Sequence, residues 1–416
     1  MAELTDARRV MGRCDILGAI SEEPGCLTRR FATPAMGEAN RVVVGWMRDA
    51  GMTVRQDNVG NLIGRYEARD PDAKTLLLGS HLDTVRDAGK YDGPLGVLVA
   101  LALIERLHAR GERLPFAVEV VAFADEEGLR YHTAYLGSQA LTGTFDPAQL
   151  SRQDEDGVVM DEAIRAFGGD PMAIGREKRD PDTVLAYCEV HIEQGLVLDH
   201  RNLPVGVVST IMGQSRFTVA FVGQAGHAGT VPMALRHDAL CAAAEFILMA
   251  EEMARQGVGL VATVGQLDVG PGASNVIPGR AALSLDVRHI DNTVRERTSV
   301  ALHKKAIEIG ARRGVIVEWR QVQGSTTIAC APEINAILSR AIESLGYEVL
   351  SLPSGAGHDA VVMSTLAPVA MLFVRCKGGI SHNPAESVAV EDVAVALDVL
   401  EEFVRRWGRA IVAEQG

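Results

Sequence analysis

The six cysteines, Cys14, Cys26, Cys188, Cys241, Cys330 and Cys376, lie far apart and form no CxxC pair. That is the distribution of buried thiols in a reducing compartment, and no disulfide framework is expected. No stretch of about 18 uninterrupted apolar residues occurs, which leaves no candidate membrane-spanning helix. The N-terminal segment MAELTDARRVMGRCDILGAI carries acidic residues early and no apolar run of the signal-peptide kind, so a cytoplasmic location is the expectation. Basic residues are also scarce, 41 against 54 acidic for a formal charge of -13, and they are dispersed in short pairs such as Arg312-Arg313 and Arg405-Arg406. Neither nucleic acid nor an anionic membrane is an expected partner. Internal repeats and low-complexity segments are absent as well.

What is present is an ordinary globular composition, 47% hydrophobic and 23% charged, in a chain of 416 residues, longer than one hydrophobic core usually supports. Two domains are therefore expected. From Thr75 to Val121 a short apolar strand (TLLLG), a polar glycine-rich loop, a long apolar helix (LGVLVALALIERLHA) and a second apolar strand (FAVEVVAF) follow one another. This βαβ pattern predicts an α/β domain with a mostly parallel sheet covered by helices and functional loops at the carboxyl ends of its strands. Between Gly213 and Ser325 the texture changes to alternating strands interleaved with two amphipathic stretches, an α+β insert. After Ser325 helix and strand alternation resumes. The expected organisation is a discontinuous catalytic domain, 1–212 and 326–416, interrupted by a smaller domain over 213–325.

Four segments place an imidazole or a carboxylate at or just past a predicted strand end. GSHLDTVRDAGKYDG carries His81, Asp83 and Asp92; VVAFADEEG carries Asp125, Glu126 and Glu127; LAYCEVHIEQG carries His191; GGISHNPAESV carries His382. In extended backbone His81 and Asp83 face the same way, so one carboxylate can orient the imidazole. Taken singly each signal is weak, since an HxD triplet is commonly an exposed turn and an acidic run a solvated loop. Their recurrence at four strand ends is not expected by coincidence, because active sites of α/β sheets gather there. Three imidazoles and two carboxylates without thiolate suit zinc, manganese, cobalt or nickel better than copper(I) or an iron–sulfur cluster.

Together GSHLDTV with KYDGPLGV, FADEEG, HIEQG, GQAGHAGTVPM, GASNVIPG, SGAGHDA and GISHNPAES resemble the M20 metallopeptidase clan, within it the ureido-amidohydrolase (hydantoinase/carbamoylase) branch. That branch contains allantoate amidohydrolases, N-carbamoyl-L-amino-acid hydrolases and β-ureidopropionases. The resemblance implies two divalent ions per subunit, manganese or zinc with cobalt or nickel as alternatives. His81 and His191 would bind one, Glu127 and His382 the other, and Asp92 would bridge them. It makes Glu126 the general base and Asp83 the residue that orients His81. The insert would be a lid and homodimerisation domain, with hinges near Met212-Gly213 and Gly324-Ser325. It would supply His227 as oxyanion donor, acting within its own subunit or on the partner's, with Asn275 and Arg288 as substrate holders. The forked guanidinium of Arg288 suits the carboxylate that every substrate of the branch carries. Gln194, Gln214, Gly357 and His358 match pocket positions. The implied reaction is hydrolysis of a linear ureido C–N bond in a small carboxylate, releasing ammonia and carbon dioxide. FADEEG and the TAYLGS that follows favour allantoate as substrate; an N-carbamoyl-L-amino acid is the alternative. A dipeptidase and a non-catalytic dimeric binding protein are the remaining readings, disfavoured respectively by HIEQG and by the completeness of the donor set.

Overall fold

A strand that is apolar at every position must be covered on both faces, and such strands build the centre of this protein. The computed structural model describes residues 4–415. They form two compact units, one running up to Ser209 and resuming at Cys330, the other spanning Thr210–Ala329. The strands up to the insert are Thr53–Gln56 (β1), Leu62–Tyr66 (β2), Thr75–His81 (β3), Ala117–Phe123 (β4), Val184–Ile192 (β5) and Val205–Ile211 (β6), the last two residues of β6 falling in the second unit. A strand contributed after the insert, Val369–Val374, lies between β5 and β6, and the sheet order is β1, β2, β4, β3, β5, Val369–Val374, β6. Every residue of β3, β4 and Val369–Val374 is buried.

The four central strands, β4, β3, β5 and Val369–Val374, are mutually parallel, and their register sets the site. His81 lies opposite Phe123 on β4, Gly79 opposite Glu189 on β5, and Phe373 opposite His191. The carboxyl ends of all four strands therefore stop along one edge, and the loops that leave them start side by side. The crossover from β3 to β4 is the helix Pro94–Ala109, nearly apolar all round and buried along most of its length. Proline stands at its first turn, where no backbone N–H is needed, and Gly93 before it holds φ at +84°, a conformation that favours glycine. A Cβ on Gly93 would also collide with the His81 ring. The closing helix Val390–Gln415 packs its apolar residues Val393, Leu397, Leu400 and Phe403 into the same core. All six cysteines are free.

The second unit reads differently because its sheet is covered on one face only. Gly213–Val222, Arg280–His289 and Ile316–Ser325 pair antiparallel, and along Arg280–His289 buried and partly exposed residues alternate. The buried face, with Phe217, Val219, Phe221, Leu283 and Leu285, packs on the helices Ala239–Gln256 and Asn292–Arg313. No helix among the described residues is long and apolar enough to cross a membrane.

Helix Pro94–Ala109 approaches β5 so closely that a Cβ on Gly96 would run into the Val190 carbonyl oxygen, whereas a Cβ on Gly12, in the helix Leu4–Gly18, meets nothing within 4 Å. The two substitutions should therefore move stability in opposite directions. Gly96→Ala is expected to destabilise by about 1–3 kcal/mol through overpacking, and Gly12→Ala to stabilise by up to about 1 kcal/mol through helix propensity. Urea unfolding of the two variants checks both signs.

Candidate metal centre

Parallel register places the β3 and β5 histidines next to one another. The His81 and His191 rings lie 5.7 Å apart, centre to centre, and both residues are buried. Each imidazole uses its Nδ1 on a backbone carbonyl, His81 on Asp83 O at 3.0 Å and His191 on Ile192 O at 2.9 Å. A carbonyl oxygen only accepts, so Nδ1 carries a proton and Nε2 is the nitrogen left to face the centre. Both Nε2 atoms face the same atom, Asp92 Oδ1, at 3.7 and 3.2 Å.

The other oxygen of that carboxylate looks the opposite way. Asp92 Oδ2 lies 3.2 Å from His382 Nε2 and accepts hydrogen bonds from Ser381 Oγ and Gln194 Nε2, both at 2.7 Å. His382 Nε2 is in turn 3.3 Å from Glu127 Oε1. The Glu126–Glu127 turn is held by Asp83, whose two carboxylate oxygens accept from the backbone N–H groups of Glu126 and Glu127 at 3.0 and 3.1 Å. Asp83 thus anchors the glutamate turn with its side chain and His81 with its carbonyl. Two residues that face Asp92, Gln194 and His382, sit in left-handed backbone at φ +56° and +54°. Such strain in non-glycine residues is kept where the surroundings fix a functional geometry.

The electrostatics follow from burial and crowding. Burial opposes ionisation of Asp92, but the imidazoles of His191, His382 and His81 outweigh it and hold the carboxyl well below its ordinary range. Glu126 is pushed well above the ordinary carboxylate range by burial and then by the charge of Glu127. The Asp92 and Glu127 carboxylates raise the imidazole of His382 to about 10. The cluster thus attracts positive charge, on its own imidazoles or on a cation. The donor atoms of His81, Asp92 and His191 lie within 4.8 Å of one another, and so do those of Asp92, Glu127 and His382, and those of His81, Glu126 and Glu127. With neutral imidazoles, Asp92 and Glu127 together bring two negative charges. Nitrogen and oxygen donors, Nδ1 anchored away from the centre and excess negative charge fit divalent cations.

Of the remaining candidates, Gln194 is at the cluster, and His358 is buried against it, its ring 4.5 Å from that of His191 and its Nε2 2.8 Å from Ser354 Oγ. Burial, and then the neighbouring His191, hold His358 well below the usual histidine pKa. Gly357 packs so tightly under the Tyr135 hydroxyl that a Cβ there would collide with it. Within the second unit the structure pairs the candidates two by two. His227 lies opposite Val276, with Ala228 N donating to Asn275 O at 2.9 Å, and Arg288 lies opposite Gln214. The Arg288 guanidinium is bidentate to Asp286, both contacts 2.9 Å.

Sequence reasoning passes over three residues here. Ser381 and Glu386 lie inside GGISHNPAESV, on either side of His382 and Asn383, and Glu189 lies two residues before His191 and therefore on the same strand face. Glu189 accepts from Ser80 Oγ at 3.0 Å and from Ala360 N at 3.2 Å. Period-two spacing is the signal that marks Glu189.

The description Peptidase family M20/M25/M40 matches residues 77–406, which contain every donor of this cluster. The chain belongs to peptidase family M20. The M20 chain is 41% identical to the N-carbamoyl-L-amino acid amidohydrolase of Geobacillus stearothermophilus over 96% of its own length and 98% of that protein. It is 40% identical to a probable allantoate deiminase of Oryza sativa subsp. japonica, over 93% and 86%. A solved amidase of the hydantoinase/carbamoylase family from Burkholderia multivorans superposes with a TM-score of 0.89 at 32% identity, over 96% of this chain and 97% of that one. The M20 chain has the mixed α/β fold of its family and is a hydrolase acting on carbon–nitrogen bonds.

Asp83→Ala would release the glutamate turn and the 3.4 Å contact of Asp83 Oδ1 with His81 Nδ1, while leaving the backbone carbonyl that His81 uses. Losing such a supporting partner typically weakens metal affinity about 10–100-fold, and a chelator-competition titration with zinc or manganese should show a loss of that size.

Proposed function

We propose that the protein hydrolyses the C–N bond of a linear ureido group in a small carboxylate substrate, with two divalent ions at the strand-end cluster. One observation carries the reading: Asp92 turns one oxygen to His81 and His191 and the other to His382, which neighbours Glu127. A carboxylate that serves two imidazole groups in opposite directions suits a bridging ligand. His81 and His191 would hold one ion and Glu127 and His382 the other. Manganese or zinc, or else cobalt or nickel, suits these donors. Divalent ions bound there lower the pKa of a water and polarise a carbonyl.

The protein's own part in the chemistry is proton transfer. Glu126 is buried with an oxygen inside the His81–Glu127 donor group, and its raised pKa brings it nearer the range in which a carboxyl both takes and gives a proton. It would take the proton of the attacking water and deliver it to the leaving nitrogen, so that ammonia and then carbon dioxide depart. Asp83 keeps Glu126 and Glu127 in place through their backbone N–H groups. His227 as donor to the developing oxyanion, and Arg288, Asn275, Gln214, Gln194, Gly357 and His358 as substrate holders, enter through the family resemblance, as does homodimerisation through the second unit. The Arg288–Asp286 pair preforms the guanidinium fork in one orientation.

Allantoate is the first choice of substrate, supported by FADEEG and TAYLGS and by the 40% identity to a probable allantoate deiminase. The second reading, an N-carbamoyl-L-amino acid, is favoured by the 41% identity to a carbamoyl-amino-acid amidohydrolase. Ammonia release from allantoate, N-carbamoyl-alanine, N-carbamoyl-methionine and N-carbamoyl-β-alanine, with each of the four metals, separates them. Turnover of allantoate alone is the expected result, turnover of carbamoyl amino acids alone selects the second reading, and silence on every substrate sinks the ureido assignment.

Glu126→Gln should lower kcat by about 10²–10⁴-fold or more while the bound metal per subunit, read by elemental analysis, stays at the wild-type value. Unchanged turnover would remove Glu126 as the base.

A further inference from the structure

Glu386 is a buried carboxyl that none of the proposed chemistry uses. It is only 5% exposed and has no lysine or arginine partner among the described ion pairs. Its Oε1 accepts two backbone N–H bonds, from Tyr91 at 2.7 Å and from Asp92 at 3.1 Å. Its Oε2 lies 3.2 Å from Ser381 Oγ, whose single proton is shared between it and the nearer Asp92 Oδ2 at 2.7 Å. One side chain therefore ties the backbone of the Asp92 loop to the residue next to His382, across 295 positions of sequence. The seat is tight on its far side too, since a Cβ on Gly89 would collide with the Glu386 side chain.

A second carboxyl beside Asp92 makes no sense as a ligand, because its oxygens point to backbone amides and a hydroxyl and it belongs to none of the donor groups. As a brace it does. His81 and His191 are fixed on strand ends by their own Nδ1 bonds. His382 stands in a loop, half-exposed, in left-handed backbone, and gains its position from neighbours. Without the brace the two loops keep only the bonds of Ser381 and Gln194 to Asp92 Oδ2, and the backbone N–H groups of Tyr91 and Asp92 lose their acceptor.

We propose that Glu386 is a positioning residue that couples the Asp92 and His382 loops and thereby selectively builds the Glu127–His382 half of the centre. This inference rests on the two-ion reading given above. Its role is geometric: an amide of the same shape can accept the two N–H bonds through its oxygen and donate to Ser381 Oγ through its nitrogen.

The test is a chelator-competition titration of the full-length apo-protein with zinc, giving two dissociation constants. His382→Ala identifies the constant that belongs to the Glu127–His382 ion, and thermal unfolding of each apo-variant monitors the fold. In Glu386→Ala that constant should weaken about 10–100-fold while the other moves at least tenfold less. Glu386→Gln should restore it to within about threefold of wild type, a rescue that follows from the shared shape of the two side chains. Should Glu386→Ala not fold, Glu386→Asp, one methylene shorter, no longer spans both loops and should weaken the same constant selectively. Equal weakening of both ions, wild-type binding in Glu386→Ala or in its substitute Glu386→Asp, or failure of Glu386→Gln to restore binding overturns the brace. A wild-type protein that binds fewer than two ions instead overturns the two-ion reading, and the brace with it.

Discussion

Everything at the strand edge turns on one carboxylate. Asp92 is buried, faces three imidazoles and accepts two further hydrogen bonds, and it stays ionised because those donors outweigh the cost of burial. Four loops converge on it, from β3, β4, β5 and Val369–Val374. Their convergence is a consequence of parallel register: strands that end along one edge deliver their following loops to one place. Gly93 and Gly96 then let the crossover helix start directly behind Asp92 and lie flat on β5, where any side chain would strike His81 or the Val190 carbonyl.

Charge is arranged in layers around this point. The imidazoles touch the carboxylate, and each strand-end imidazole is locked from behind by a backbone carbonyl. Behind them Asp83, Glu189 and Glu386 hold loops and strand ends through backbone amides and hydroxyls. These outer carboxyls do little for folding on their own terms, since burying an acid is costly. Their hydrogen bonds hold the backbone that carries the inner donors, the kind of support a preorganised site requires.

Much of this was legible in the chain. The uninterrupted apolar runs of β3 and β4 announced strands covered on both faces, and the strand, helix, strand pattern from Thr75 to Val121 announced their parallel pairing. His81, Asp92, Glu127, His191 and His382, picked out as strand-end donors, come together in space, and their roles as ligands belong to the proposed function. The expected cuts at 212/213 and 325/326 stand beside compact units that divide at Ser209/Thr210 and Ala329/Cys330. Strand ends pin a histidine to a register, which is why such positions can be read locally. Ser381 and Glu386 escaped because their meaning depends on a loop almost 300 residues away, joined through backbone amides that carry no sequence signal. The left-handed backbone at Gln194 and His382 was equally hidden, with no glycine to mark it.

Order along the chain gives the Glu386 contact a further consequence. The Tyr91 amide and the carboxyl that accepts its bond are separated by 295 positions, with the whole second unit encoded between them. β3, its crossover helix, β4 and β5, with His81 and His191, are all encoded before the second unit, whereas His382 and the Ser381 and Glu386 groups that hold the Asp92 loop are encoded after it. A nascent chain cannot close the Glu127–His382 side until the ribosome has passed the far side of the insert. The donor cluster is thus drawn from both sides of the second unit in the sequence, and its His382 side can form only in a chain made through that unit.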